Sequence, residues 1–376
     1  MNLLTDTVYW VASAMALLGL LGGAWLSSMT PRRARGFLPN VAVLLVASML
    51  VTTAVGLVLN RQNGWYPTLA DLFPAPVDST VTDVGGNTTG SSTATSAATP
   101  GPAVTRTDER TLPDLPSAGN RVQSMTVPTS IGNRTWDVTV VLPDDYFDPA
   151  HANDAYPVLV AAHGVPGSMS QWYSTFDMRE LGDPVVAAGK VHRFITVIPN
   201  LTPDGVDSEC VYGPDGPDQL ETWLTKDIPD WVHANFRAAP ERDAWAWMGF
   251  SAGGWCSAMA TMLHPDRFAA AVVLSGYFRP LWVDKTPKGL DKAAKERLDL
   301  VKLASTNPPA VSLLVQSSTQ EDVYHKYATE FLAAIKPPTA ATAVTDTSGG
   351  HALTSWKPHI APALEWLGRT VPGFQP

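Results

Sequence analysis

Two stretches of the 376-residue chain carry the residue types that acyl-transfer chemistry needs. The first is Gly249-Phe250-Ser251-Ala252-Gly253-Gly254, preceded by Trp245-Ala-Trp-Met248, which reads as a buried strand, and followed by Trp255 to Leu263, which reads as a helix. A serine placed on a strand-to-helix turn too tight for side chains at its neighbours is lifted above the sheet edge as a nucleophile. Its hydroxyl needs a base, and the chain order in such sites is serine, acid, histidine. Downstream of Ser251 stand His264, His325, His351 and His359. His264 precedes Pro265 at a helix end, where capping is the simpler account. His325 and His359 fall within helical stretches and read as surface residues. His351 follows Gly349-Gly350 after the last expected strand, on a loop able to reach across the sheet edge, and is the candidate base.

The acid is expected after the strand Val311 to Val315, in the loop Gln316-Ser-Ser-Thr-Gln-Glu321-Asp322. One of Glu321 and Asp322 orients the imidazole and the other caps the following helix; Asp322 is the better cap by position, and spacing does not separate them. An oxyanion hole takes one backbone N–H from Ala252. Its second donor comes from His163-Gly164-Val165-Pro166-Gly167, after the strand Pro157 to Ala162; Pro166 has no N–H, which leaves Val165 or Gly164. The loops from Gly164 to Asp177, Leu201 to Pro217 and Phe278 to Lys292 are the expected pocket walls, with Trp172, Tyr173, Tyr212 and Trp282 as lining.

These residues need a scaffold. Short apolar runs at Thr135–Leu142, Pro157–Ala162, Phe194–Ile198, Ala244–Phe250, Ala270–Leu274, Val311–Val315 and Ala341–Val344 read as strands, and Leu220–Phe236 and Tyr324–Ile335 have helical spacing. The alternation predicts an α/β fold, a mostly parallel sheet with helices on both faces. Lys+Arg 26 against Asp+Glu 35 gives a net charge of −9, which argues against a nucleic-acid partner.

The apolar residues are concentrated at the front. Val8–Met29 and Val41–Leu59 contain no charged residue, and each is long enough to cross a hydrocarbon core of about 30 Å as a helix. Residues 1–62 therefore read as a transmembrane hairpin, with a signal peptide or a buried soluble helix as rival readings of one run. Gly19, Gly22, Gly23 and Ala24 suit close helix packing. Arg32, Arg33 and Arg35 between the runs predict a cytoplasmic turn, with both ends and all that follows extracytoplasmic: a multi-pass plasma-membrane protein. Trp65 and Tyr66 fit an interfacial belt. Residues 63–119 turn to Ser, Thr, Gly, Ala and Pro and read as a juxtamembrane segment and flexible linker, leaving 120–376 as the catalytic domain. The two cysteines, Cys210 and Cys256, suit a disulfide in that compartment, which would pin an irregular loop to the helix launched by Ser251; the alternative is a buried free thiol at Cys256.

The tract Glu221-Thr-Trp-Leu-Thr-Lys-Asp-Ile-Pro-Asp-Trp-Val, the elbow at Ser251, His264-Pro-Asp-Arg-Phe and Gly349-Gly-His resemble the putative esterase family, which unites esterase D-like enzymes with secreted mycolyltransferases. The likeness spans roughly Val122 to Leu367. It implies an α/β-hydrolase fold, a Ser–acid–His triad, and neither metal nor organic cofactor; counting back from Phe331 places the acid on Glu321, with Asp322 next. The glycines after Ser251 and the position of the histidine are more similar to the esterase D-like branch, so trehalose or mycolate recognition is not carried over. The expected activity is serine esterase action on a small-molecule or lipid ester. The alternatives are an envelope acyltransferase moving an acyl group to a sugar or other hydroxyl, and a silent binding domain.

Overall fold

A computed structural model of the chain describes residues 6–29, 37–63, 78–85, 112–117, 119–205, 207–216, 219–282 and 292–376. They divide into two compact units, Met1–Asp78 with Thr347–Ser355, and Ser79–Asp346 with Trp356–Pro376.

The first unit holds two helices, α1 (Asp6–Met29) and α2 (Phe37–Asn63), packed on each other. Small residues make that approach possible. Ala16 and Ala47 are buried, and a Cβ on Gly19 would come within 2.5 Å of Leu50 Cδ1, whereas Gly22 has open space. Among the described residues no helix is long and apolar enough to cross a membrane. The two expected transmembrane helices are therefore not shown by the structure. Arg32, Arg33, Arg35, Trp65 and Tyr66 lie outside the described residues.

The second unit is built on a nine-stranded sheet of order β1-β9-β8-β7-β6-β4-β5-β3-β2. Its strands are β1 (Ser79–Val84), β2 (Val122–Pro128), β3 (Thr135–Val141), β4 (Val158–Ala162), β5 (Ile195–Pro199), β6 (Trp245–Phe250), β7 (Ala270–Leu274), β8 (Ser312–Ser318) and β9 (Ala340–Asp346). From β5 to β9 the pairing is parallel, while β1 on β9 and β2–β3–β5 are antiparallel. The parallel strands are continuous apolar runs because both faces are covered. On β6, Trp245 and Trp247 belong to one side, in the core with Trp223 and Trp255. Phe250 belongs to the other, stacked on Trp356 at 4.8 Å and packed on Trp172 and Phe176.

Helices α3 (Met178–Ala187), α4 (Gln219–Thr222), α5 (Ile228–Asn235), α6 (Ala252–Leu263), α7 (Lys292–Arg297), α8 (Leu300–Thr306), α9 (Asp322–Ala334) and α10 (Leu353–Thr370) complete the fold. The expected helix over Leu220–Phe236 is interrupted by a π-type turn at Trp223–Asp227. Ser79–Val84 corrects the linker reading: inside a stretch expected to be flexible, six residues pair with β9 from Ser79↔Asp346 to Val84↔Ala341. Their β-branched threonines and valines suit an exposed edge strand.

Two covalent or charged fasteners hold the helix layer. Cys210 and Cys256, 46 positions apart, form the expected disulfide. Glu221, on α4, is buried and accepts a two-pronged grip from Arg297 at 2.7 and 2.6 Å and a contact from His264 Nε2 at 2.8 Å, so His264, the expected C-cap residue of α6, also ties that helix end to α4. Burial pushes this carboxyl up, but Arg297 and then His264 outweigh it and hold Glu221 at about 2. A depressed carboxylate stabilises the fold at neutral pH and loses that contribution as pH falls through the lowered value. Denaturant titrations should show stability declining from about pH 5 to about pH 2, with a flatter decline in Glu221→Gln. Cys256→Ser should cost roughly 2–4 kcal/mol in the same assay, a loss matched by adding reductant to the wild type.

Candidate active site

The site grows from the junction of β6 and α6. Ser251 adopts φ 56° and ψ −126°, a backbone conformation that a residue with a side chain holds only when its surroundings impose it. The surroundings are other backbones. The Ser251 N–H donates to the Leu274 carbonyl of β7 at 2.9 Å, and the Ser251 carbonyl accepts from Gly254 and Trp255 N–H at 2.9 and 3.2 Å, which starts α6. A Cβ on Gly253 would collide with the Ala162 carbonyl at the end of β4, and one on Gly249 would collide with the Gly253 carbonyl. A Cβ on Gly254 would come 3.0 Å from Gly276 Cα. These glycines are a packing requirement, and together they hold the serine at the carboxyl ends of the parallel strands.

The loop after β4 lies beside it. A Cβ on Gly164 would come 3.0 Å from the Phe250 ring and 3.3 Å from Ser251 Cβ, so the expected second donor loop borders the nucleophile. His163 fixes that loop: its Nδ1–H donates to the Gly164 carbonyl at 2.8 Å, and its Nε2 accepts from Leu201 N–H at 3.1 Å. Burial lowers the pKa of this histidine, consistent with the neutral ring that the two bonds require. Ala252, buried, heads α6 directly after Ser251.

Tyr324 was not anticipated. It lies in the first turn of α9, and its hydroxyl shares a hydrogen bond with the Ser251 side chain. Burial, followed by the charge of Glu321, pushes it to about 12 despite that bond, so it remains protonated at neutral pH. Its signal in the sequence was its spacing: three residues after Glu321 on a helix, it shares a face with the candidate acid. Glu321 itself is buried at the N-cap and makes no capping bond, whereas Asp322 is the first helical residue and exposed. The expected division of labour, with Asp322 as cap, is not what the helix start shows. His351, half-buried, belongs to the unit that contains Thr347–Ser355, and Ser251, Ala252, Gly164, Val165, Glu321, Asp322, Cys210 and Cys256 belong to the other.

Two readings of aromatic and imidazole side chains need correction. Trp172 is fully buried against Phe176 and Phe250, so it is packing and not pocket lining. His359 is not a surface residue: it is buried, with Nε2 2.7 Å from Asp346 Oδ2. That carboxylate also accepts from Gln316 at 2.8 Å; Gln316 in turn accepts from Ser275, whose hydroxyl accepts from the Trp356 indole N–H at 3.0 Å. Trp356 is the ring stacked on Phe250, so a line of polar contacts supports the residue next to the nucleophile. Remote from this network, Asp145, His151 and Asp154 bring three potential metal ligands together. They are engaged in charge pairing, with Asp145 3.0 Å from Arg193 and His151 raised chiefly by its bond to Asp154.

Among solved structures, the second unit's fold is similar to a ferulic acid esterase (TM-score 0.55, 20% identity, 66% of this chain and 98% of that one) and to an S-formylglutathione hydrolase from Agrobacterium tumefaciens (TM-score 0.55, 16% identity, 68% and 98%). Among curated proteins, an uncharacterized protein of Corynebacterium glutamicum is 25% identical over 353 residues, 88% of this chain and 75% of that one. An esterase of Mycobacterium tuberculosis is 36% identical over 139 residues, 37% of this chain but only 28% of the esterase's own length. The MPT51 antigen of Mycobacterium leprae is 39% identical over 66 residues, 18% of this chain and 21% of the antigen. The model of the family described as putative esterase matches residues 129–367, the region that carries the elbow, and the chain belongs to that family of serine hydrolases.

Proposed function

We propose that the chain is a membrane-anchored, extracytoplasmic esterase that cleaves carboxylic esters through an acyl-enzyme on Ser251. The observation that carries this reading is the strained, glycine-enclosed Ser251 at the β6–α6 turn, since such strain serves to present a nucleophile. In the mechanism, His351 takes the Ser251 proton as Oγ attacks the ester carbonyl carbon. The resulting oxyanion is held by the N–H of Ala252 and by that of Gly164 or Val165. His351 then protonates the departing alcohol; water, deprotonated by the same imidazole, attacks the acyl group and frees Ser251. Glu321 is the acid in this scheme, because a buried carboxylate holds an imidazolium more strongly than an exposed one such as Asp322. Anchoring rests on the uncharged runs at Val8–Met29 and Val41–Leu59 and on the apolar side chains that α1 and α2 expose, among them Trp10, Leu18, Trp25, Leu44 and Met49.

Hydrolysis of short p-nitrophenyl esters by the full-length chain should fall roughly 10³–10⁶-fold in Ser251→Ala, and a fluorophosphonate probe should label Ser251 in the wild type. Equal turnover in the mutant would rule out serine catalysis and leave a binding domain. Glu321→Gln should lose about 10²-fold or more while Asp322→Asn stays near wild type; the opposite pattern transfers the role to Asp322. If added sugar or polyol is acylated faster than the ester is hydrolysed, the enzyme is an acyltransferase. Recovery in the aqueous fraction of host cells without detergent would overturn the anchor.

A further inference from the structure

Glu209 takes no part in the chemistry above, yet it is only 3% exposed. Its carboxylate has three partners. Oε2 accepts from the Tyr277 hydroxyl at 2.8 Å, and Oε1 accepts from the N–H groups of both Leu281 and Trp282, at 2.9 and 3.0 Å. Among the described residues no cation joins them. Burying an acid against neutral donors alone is costly to a fold, and burial pushes Glu209 up to about 7 in spite of the Tyr277 bond. Such an expense without a return in stability points to a use.

The backbone around it is also held in place. Glu209, Cys210 and Trp282 have φ of 54°, 58° and 47°, left-handed values that side-chain-bearing residues seldom adopt. Consecutive N–H groups closing on one oxygen, with Trp282 in that conformation, form an anion-holding turn. On its other side the Glu209 segment is fixed to α6: its carbonyl accepts from the Trp255 indole N–H at 2.8 Å, and Cys210 is bonded to Cys256. The Trp255 ring lies parallel to Tyr277, 5.9 Å away at 7°. Trp255 and Cys256 follow Ser251 by only four and five residues on the helix that the nucleophile begins.

We propose that Glu209 is a positioning residue for substrate: its carboxylate ties the turn at Leu281–Trp282 and the loop at Cys210 to the nucleophile helix, fixing the spacing between Ser251 and two walls of its pocket. This rests on the serine-esterase reading. The ionised carboxylate grips both N–H groups, and protonation removes the charge that holds them, so the walls loosen as pH falls below neutrality. The groups that face Glu209 are Asp207 from its own loop, Tyr277 after β7 and Tyr324 of α9, itself facing Glu321; α6 presents Trp255 and the disulfide, which do not titrate.

The test compares full-length wild type, Glu209→Gln and Glu209→Ala on p-nitrophenyl esters of short and long acyl chains, from about pH 6 to about pH 8, with fluorophosphonate labelling alongside. For the long ester, wild-type KM should rise roughly threefold or more on acidification, and Glu209→Gln should abolish that dependence. Glu209→Ala should raise this KM about tenfold with kcat nearly unchanged, and glutamine should restore part of the loss. A wild-type KM that is flat with pH, or one unaltered in a folded Glu209→Ala protein, overturns the proposal. Should the alanine variant not fold, the pH profile of Glu209→Gln decides alone. Failure of the probe to label wild-type Ser251 overturns the esterase reading and the clamp with it; labelling with an unaltered KM overturns the clamp only.

Discussion

Backbone meeting backbone is the constraint from which the rest of the second unit follows. The first turn of α6 lies so close to the ends of β4 and β6 that side chains at positions 249 and 253 have nowhere to go. This contact forces Ser251 into its unusual dihedral angles, and it does so only if the sheet beneath is rigid. Rigidity comes from β6, buried along its whole length, with tryptophans on one face and Phe250 on the other. The strain at one residue is thus sustained by packing spread over both layers.

The support extends outward by polar contacts as well as apolar ones. Phe250 leans on Trp356, Trp356 on Ser275, and Ser275 on Gln316, which ends at the buried Asp346–His359 pair. On the opposite side of the elbow, the disulfide and Glu209 attach two irregular loops to α6. Loops cost conformational entropy to hold still, and a site needs them still to within a fraction of an ångström. Here that is done by a covalent bond and a buried carboxyl's loop, each attached to α6 within two turns of the nucleophile.

How much of this was legible in the residues depended on how local the signal was. The seven strands from β3 to β9 were readable, the parallel ones because burial on both faces leaves an apolar run. The elbow was readable because its glycines are adjacent in sequence, and the disulfide because the chain has two cysteines. Long-range partners were not: nothing near His359 in sequence announces Asp346, and nothing near Glu209 announces the amides of Leu281 and Trp282. Exposure misled twice in the same direction, with Trp172 packed where a pocket wall was expected and His359 buried where a surface was. Strand β1 escaped because six polar and β-branched residues within a Ser/Thr-rich stretch show no apolar pattern; only pairing with β9 makes them a strand.

That edge strand has a bearing on how the border of the sheet is protected. β1 covers the β9 side of the sheet through the Ser79–Val84 ladder. Were the strand to detach, β9 would become an open sheet border with a row of unsatisfied amides and carbonyls. A sheet opened in this way would be adhesive, prone to self-association through that border.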